Sequence, residues 1–144
     1  SSQIRQWMDE GKLVIVDRYV YSNIAFQCAK LNSREEQAQL RDWILDFEFT
    51  YNNLPKPDLN LYLNVPFEFT RKQLNSARNG DDRAYLKGER DIHEENLGFQ
   101  EQVRQVYLSL KGHVDDLEII DCISQDGEML APGTISDLLI KQIV

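Results

Sequence analysis

Short apolar runs alternate with longer amphipathic stretches along this chain of 144 residues. Three runs, residues 13–16, 59–65 and 117–121, predict strands, and the first is typical of a strand buried on both faces. Helical spacing of apolar residues predicts helices over residues 1–10, 22–30, 33–47, from Pro66 onward, 97–110 and 132–144. This alternation favours an α/β fold with parallel strands, right-handed crossovers and helices on both faces of the sheet.

Several helix ends are marked by residues with a local conformational role. Gly11 predicts the end of the first helix, and Ser33 with Glu36 forms a capping-box pattern at the start of the third. Pro66 fits the first turn of the helix after the second strand. Residues 78–93 are dominated by charge and glycine, so we expect a flap or lid at about 78–95 between two helices.

Composition and charge exclude several classes of protein. A hydrophobic fraction of 42% fits a packed globular protein, and a net charge of −8 disfavours broad nucleic-acid binding, so we expect no nucleic-acid partner. No apolar run approaches the roughly 20 residues that span a bilayer, so we expect no membrane association. Cys28 and Cys122 lie in apolar surroundings without metal-ligand spacing. They predict buried free thiols in a reducing cytoplasm.

The first predicted strand delivers Asp17 and Arg18 to its carboxyl end, where an open parallel sheet binds ligands. An arginine fork at that edge can hold phosphate oxygens in a bidentate manner. Asp17 can then steer a hydroxyl, a water molecule or a magnesium ion. The alternative is a structural Asp–Arg pair that merely starts the next loop, and the two residues by themselves leave both possibilities open.

The chain contains no Gly-x-x-x-x-Gly-Lys-Ser/Thr loop, the motif that cradles nucleotide phosphates. It has no initiating methionine and begins inside a predicted helix. We therefore expect residues 1–144 to be the carboxyl-terminal part of a single larger α/β domain. If the protein handles ATP, its phosphate-binding loop is expected upstream.

Three ordered segments carry a resemblance to a known family. The run Val-Ile-Val-Asp-Arg-Tyr-Val-Tyr-Ser-Asn-Ile-Ala-Phe-Gln at 14–27 resembles the Asp-Arg-Tyr segment of thymidylate kinases, which convert dTMP to dTDP. Leu-Pro-Lys-Pro-Asp-Leu-Asn-Leu-Tyr-Leu-Asn-Val-Pro at 54–66 is similar to the family's Pro-Asp-Leu strand. Asp91-Ile92-His93-Glu94 and the helix with Phe99, Val103, Arg104 and Tyr107 resemble its lid region. The resemblance implies a three-layer P-loop NTPase-like fold, incomplete at the N-terminus, with ATP as phosphoryl donor and Mg²⁺.

The resemblance also implies roles for residues around the Asp-Arg-Tyr segment. It makes Arg18 a ligand of the dTMP phosphate and Asp17 the carboxylate near the acceptor oxygen and the magnesium ion. Ser22 and Asn23 match positions that border the nucleoside, although N-capping also explains Ser22. The assignments of Arg18 and Asp17 agree with the chemistry expected from the residues themselves.

Phe26 and Gln27 match the family's aromatic-Gln pair, in which the ring packs against the deoxyribose. A core aromatic on a helix face is the competing interpretation of Phe26. Trp43, Phe47, Phe49 and Tyr51 have the spacing of a helix packed on a sheet, so we interpret them as core or as a dimer surface. The resemblance also implies a homodimer.

Arginines of the predicted lid are further candidates, because phosphoryl transfer needs positive charge around the transferred oxygens. Arg83 and Arg90 are the preferred ones, with Arg78 and Lys87 also in the segment. A charge-rich solvated loop is the alternative. Many relatives have an arginine inside the Asp-Arg-Ile/Tyr-Glu motif, but this chain has Ile92-His93 there. Its task passes to Arg90 or is lost.

These expectations combine into ATP-dependent phosphorylation of dTMP, with residues 1–144 inactive by themselves. Two alternatives stay open. A kinase of another deoxynucleotide or nucleoside can share the architecture, because most base-reading groups lie outside this sequence. A catalytically inactive nucleotide-binding or scaffold protein is the other, and the altered lid motif supports it.

Overall fold

The computed structural model describes residues 2–76 and 97–143, so the predicted lid lies outside the described residues. The chain divides into two compact units, Ser1–Asp58 and Leu59–Val144. In the order of the chain, the first unit contains helices α1 (Ser2–Asp9), α2 (Val20–Cys28) and α3 (Arg34–Leu45), followed by a π-helical segment (Asp46–Tyr51). The second contains β1 (Asn60–Asn64), α4 (Phe67–Ser76), α5 (Leu97–Leu110), β2 (Leu117–Asp121) and α6 (Pro132–Ile143).

Local sequence rules account for the helix ends of the first unit. Gly11 has φ 72° and donates its N–H to the carbonyl of Met8, while Lys12 donates to the carbonyl of Trp7, which forms a Schellman cap on α1. The Ser33 hydroxyl accepts a hydrogen bond from the backbone N–H of Glu36 at 3.4 Å. Both predicted helix boundaries are therefore confirmed.

Helices α2 and α3 form the core of the first unit. Val20, Tyr21, Ile24, Ala25 and Cys28 are buried on one face of α2, and Ile44 is buried on α3. These α2 residues recur at the helical spacing that places them on one side of the helix. The opposite side of α2 is therefore left more open.

Three aromatic residues of α3 and the π-helical segment, Trp43, Phe47 and Tyr51, are exposed rather than part of a core. The rings of Trp43, Phe47 and Tyr51 stack in sequence with centroid distances of 5.0 and 5.4 Å. Trp43 is 59% exposed and Tyr51 is 79% exposed, so the core interpretation is wrong for both. Their assignment to a dimer surface stays a prediction.

The second unit is a small three-layer arrangement. Strands β1 and β2 pair in parallel, with Asn60 opposite Leu117 and Asn64 opposite Asp121. The ring of Tyr62 stacks on that of Tyr107 of α5, with the ring centroids 4.2 Å apart. Leu61 instead packs against an apolar cluster formed by Ile120 of β2, Cys122 and Ile135 of α6. Because successive strand residues point to opposite faces, α5 covers one face of the sheet and α6 the other.

The prediction of a strand at residues 13–16 is wrong. Residues 12–16 lie in an irregular segment, and the sheet among the described residues has only the strands β1 and β2. Leu13 is 74% exposed and Ile15 is 80% exposed. A strand requires hydrogen bonds to a neighbouring strand, and an apolar run supplies side chains for burial without supplying that neighbour.

Candidate functional site

The predicted acceptor-phosphate residues lie at the turn that leads into α2. Arg18 has φ 63°, in the left-handed region that few residues other than glycine adopt. Tyr19 follows as the N-cap of α2 with φ −142°, and its carbonyl accepts hydrogen bonds from the N–H groups of Ser22 and Asn23. The backbone thus reverses direction at Arg18 immediately before the helix begins.

Tyr19 fixes this turn to the rest of the first unit. Its hydroxyl donates a 3.1 Å hydrogen bond to the carbonyl of Pro55, and its ring lies 6.5 Å from that of Phe49. Burial raises the pKa of Tyr19, and the nearby charge of Glu48 adds to that rise. The phenol therefore stays protonated and continues to donate. Sequence reasoning did not find this contact, because its partner is a backbone carbonyl 36 residues away.

The Arg18 side chain lies over the ring of Phe26, with the guanidinium carbon 5.5 Å from the ring centroid. Phe26 is half-buried on α2, whereas Arg18 is exposed. A guanidinium within about 6 Å of an aromatic centroid makes a favourable cation–π contact. The structure therefore brings together two residues that the sequence analysis assigned to different parts of a nucleotide.

Asp17 is exposed, and no hydrogen bond or ion pair joins its carboxylate to another described residue. In particular, Asp17 and Arg18 do not form an ion pair with each other within the described part of the chain. A structural Asp–Arg pair is therefore not what holds this turn. Two adjacent groups of opposite charge are presented separately on the surface.

The four remaining candidates on α2 share its open side. Ser22 and Phe26 are half-buried, and Asn23 and Gln27 are exposed. Residues four apart on a helix are neighbours on its surface, so Ser22 lies beside Phe26 and Asn23 beside Gln27. Gln27 accepts a 3.2 Å hydrogen bond from the ammonium group of Lys30. The result is a polar surface with one aromatic ring, next to Arg18.

A second cluster of polar side chains lies at the carboxyl ends of β1 and β2. The Asn64 amide donates to Asp121 at 2.7 Å, and its oxygen accepts from Nε of Arg104 at 2.8 Å. Arg104 also contacts Glu101 at 3.2 Å, and one carboxylate oxygen of Glu101 is buried with no hydrogen-bond partner among the described residues. Sequence reasoning named Arg104 by resemblance but missed Asn64, which joins it to Asp121.

Burial raises the pKa of one tyrosine and of both cysteines. Burial raises the pKa of Tyr62 to about 12, although the positive charge of Arg104 opposes part of the rise. Burial also raises the pKa of Cys28 and Cys122, and both cysteines are free and buried, as expected from their surroundings. Protonated thiols are weak nucleophiles, so neither cysteine is a candidate for covalent catalysis.

The remaining candidates, Arg83 and Arg90, lie outside the described residues. Within residues 2–76 and 97–143, no group of three or more His, Cys, Asp or Glu side chains is placed to hold a metal ion. Across the same residues, every helix is too short or too polar to cross a membrane.

Known proteins identify the family to which this arrangement belongs. Residues 1–125 match the family model described as thymidylate kinase. The chain belongs to the thymidylate kinase family. The resemblance that the Asp-Arg-Tyr segment carries is therefore confirmed. The family implies a P-loop NTPase fold, and the small parallel sheet with a helix on each face is consistent with part of one.

Three thymidylate kinases illustrate the similarity. That of Ligilactobacillus salivarius is 34% identical over 91% of this chain and 57% of its own length. That of Leuconostoc mesenteroides is 31% identical over 98% and 59%, and that of Latilactobacillus sakei is 37% identical over 83% and 50%. The chain therefore spans between 50% and 59% of the length of these three relatives.

Proposed function

We propose that the full-length protein transfers the γ-phosphoryl group of ATP to the 5′-phosphate of dTMP, forming dTDP. The observation that carries this proposal is the exposed Arg18, which the left-handed turn presents beside the open side of α2 in a chain of the thymidylate kinase family. Because no described carboxylate neutralises Arg18, its positive charge is available to an anion. A phosphate monoester matches the fork of the guanidinium group.

In this mechanism Arg18 binds the acceptor phosphate and keeps its attacking oxygen in line with the ATP γ-phosphate. Ser22 and Asn23 offer hydrogen bonds to the nucleoside, and Gln27 borders its sugar, while the Phe26 ring lies against Arg18. Fixing both nucleotides end to end removes much of the entropic cost of bringing two solutes together. The α2 surface accordingly selects and orients the acceptor, without forming a covalent bond to it.

Asp17, next to Arg18, supplies one ligand of the kind that a magnesium ion uses. Mg²⁺ prefers hard oxygen ligands and is usually held by one or two carboxylates together with substrate phosphates. Asp17 offers one such exposed carboxylate, free of bonds to the other described residues. When bound, the ion would neutralise developing charge on the transferred phosphoryl group. Asp17 would hold it on the acceptor side.

Positive charge on the donor side is proposed to come from Arg83 and Arg90, and the ATP-binding loop from sequence outside residues 1–144. Supporting this division, the chain contains no Gly-x-x-x-x-Gly-Lys-Ser/Thr motif. Residues 1–144 are accordingly proposed to be inactive by themselves.

We further propose that the full-length protein is a cytoplasmic homodimer. The buried free thiols of Cys28 and Cys122 fit a reducing compartment. The exposed aromatic stack of Trp43, Phe47 and Tyr51 supplies apolar surface for a second copy. Sedimentation velocity of the wild-type protein and of a Trp43→Ser variant tests the dimer, which the substitution should weaken.

The kinase proposal is tested by measuring ATP-dependent phosphorylation of dTMP, dUMP, dCMP and dGMP by the full-length protein. Arg18→Ala should lower kcat/KM for dTMP by about 100-fold or more, because two charge-assisted hydrogen bonds are lost. Arg34→Ala is the matched control, since Arg34 is another exposed arginine of the same unit. A preference for another nucleotide would show that the proposed substrate, dTMP, is wrong. Absence of turnover with every nucleotide, in a folded protein, would indicate a binding protein rather than a kinase.

A further inference from the structure

We propose that Phe26 is a positioning residue for Arg18, whose ring holds the guanidinium group in place to receive the acceptor phosphate. This rests on the proposed function, because it assigns the arginine to the dTMP phosphate. It differs from a role for Phe26 as the wall against the deoxyribose. The two roles make different demands on the ring and can be separated by experiment.

The first argument is the backbone of Arg18. A φ of 63° is uncommon for arginine and is found where the surrounding structure imposes it, often at functional sites. Immediately afterwards, Tyr19 is held by its hydrogen bond to Pro55. The turn is thus anchored next to Arg18, whose guanidinium carbon lies 5.5 Å from the centroid of the Phe26 ring.

The second argument is the kind of contact. An exposed arginine has many rotamers, and ordering it on binding costs conformational entropy. A carboxylate partner would order it but would also neutralise its charge and occupy its N–H donors. The face of an aromatic ring attracts the cation without accepting those donors in the way an oxygen does. Phe26 can therefore orient Arg18 while leaving its N–H groups available to phosphate oxygens.

The third argument is the placement of the ring. Phe26 lies on α2, eight residues after Arg18, and is half-buried. The guanidinium lies over this ring. The ring face that Arg18 covers is therefore occupied by the guanidinium group and is unavailable to a sugar.

The test compares Phe26→Leu, which removes the ring, with Phe26→Tyr, which keeps it, in the full-length protein. Phe69→Leu makes the same change at a half-buried helical phenylalanine of the other unit and serves as the control. Calorimetric Kd values are measured for dTMP and for thymidine, which lacks the phosphate. Phe26→Leu should weaken dTMP binding by about two- to five-fold, the effect of losing one exposed cation–π contact.

Three further results are expected. Phe26→Tyr should restore dTMP binding, thymidine binding should not respond to Phe26→Leu, and Phe26→Leu should have no additional effect in an Arg18→Ala background. Equal losses for thymidine and dTMP, or equal effects with and without Arg18, would assign the ring to the sugar and overturn the proposal. Failure of Phe26→Tyr to restore binding would overturn it as well.

A readout without nucleotide separates this inference from the proposed function. In the proton NMR spectrum, the Arg18 side-chain resonances should be shifted upfield by the Phe26 ring, and Phe26→Leu should abolish the shift. A shift without turnover of any nucleotide would leave the contact standing and defeat the kinase proposal. Turnover of dTMP without the shift would defeat the positioning role alone.

Discussion

Replacing Ile24 and Ile15 separately by alanine should give sharply different losses of stability. Ile24 is fully buried in α2, on the face opposite the candidate site, whereas Ile15 is 80% exposed. Both substitutions remove the same three carbon atoms. The hydrophobic pattern of residues 13–16 predicts burial for Ile15 as well, so this pair tests the structure against the pattern.

The expected magnitude for Ile24→Ala follows from its burial. Removing three buried carbons costs about 2.4 kcal/mol of transfer free energy at about 0.8 kcal/mol each. The cavity that remains adds to this, and alanine's better helix propensity offsets about 0.4 kcal/mol. The net loss in free energy of unfolding should be about 3 kcal/mol. For Ile15→Ala, a largely exposed position, the loss should stay within about 0.5 kcal/mol.

The assay is urea denaturation of the 144-residue chain, followed by far-ultraviolet circular dichroism. The midpoint and the slope give the free energy of unfolding for wild type and each variant. A loss of about 2 kcal/mol or more for both variants would show that residues 12–16 are buried, contrary to the structure. Negligible losses for both would refute the packing of α2.

Three other perturbations test particular contacts. Gly11→Ala should cost about 1 kcal/mol because φ is 72° there, although an added Cβ would meet no atom of the described residues. Gly133→Ala, equally open among the described residues but at an ordinary φ in α6, should be neutral or stabilising in the same urea assay. Asn64→Leu should lower the free energy of unfolding by about 1–2 kcal/mol, because it breaks the hydrogen bonds to Asp121 and Arg104. In a double-mutant cycle with Asp121→Leu, the two losses should be non-additive by at least about 0.5 kcal/mol. Strict additivity would show that the Asn64–Asp121 bond contributes nothing to stability. The spectrophotometric titration of wild type minus Tyr62→Phe should have a midpoint near 12, above the ordinary 10.0. The folded state therefore keeps the Tyr62 proton to a higher pH than the unfolded state does. As pH rises from 10.0 towards 12, wild-type stability should fall more steeply than that of Tyr62→Phe. Parallel stability profiles would contradict the burial of Tyr62.

Features that depend on a few neighbouring residues were predictable from the sequence. The Schellman cap at Gly11 and the N-cap at Ser33 form where their residue types predict them. The strands around residues 59–65 and 117–121 occur as Asn60–Asn64 and Leu117–Asp121. The family also followed from sequence, because its motifs are short ordered runs that need no coordinates to recognise.

Features that depend on distant partners were decided by tertiary structure. The apolar run at residues 13–16 has the composition of a strand, but a strand is a hydrogen-bonding relation between two segments, and composition cannot supply the second one. The register that sets Asn64 opposite Asp121, and so allows their hydrogen bond, is likewise a relation between segments 57 residues apart.

The candidate site shows the same division. The sequence determined which residues surround the turn, namely Asp17, Arg18 and the polar positions of α2, because their chemistry and spacing are local properties. Only the tertiary structure decided that Arg18 adopts a left-handed φ, leaves Asp17 unpaired with it and lies over Phe26. The physical reason is that side-chain direction at a turn depends on a backbone angle, and an uncommon angle is kept only where contacts with distant residues support it; here the next residue, Tyr19, is bonded to Pro55.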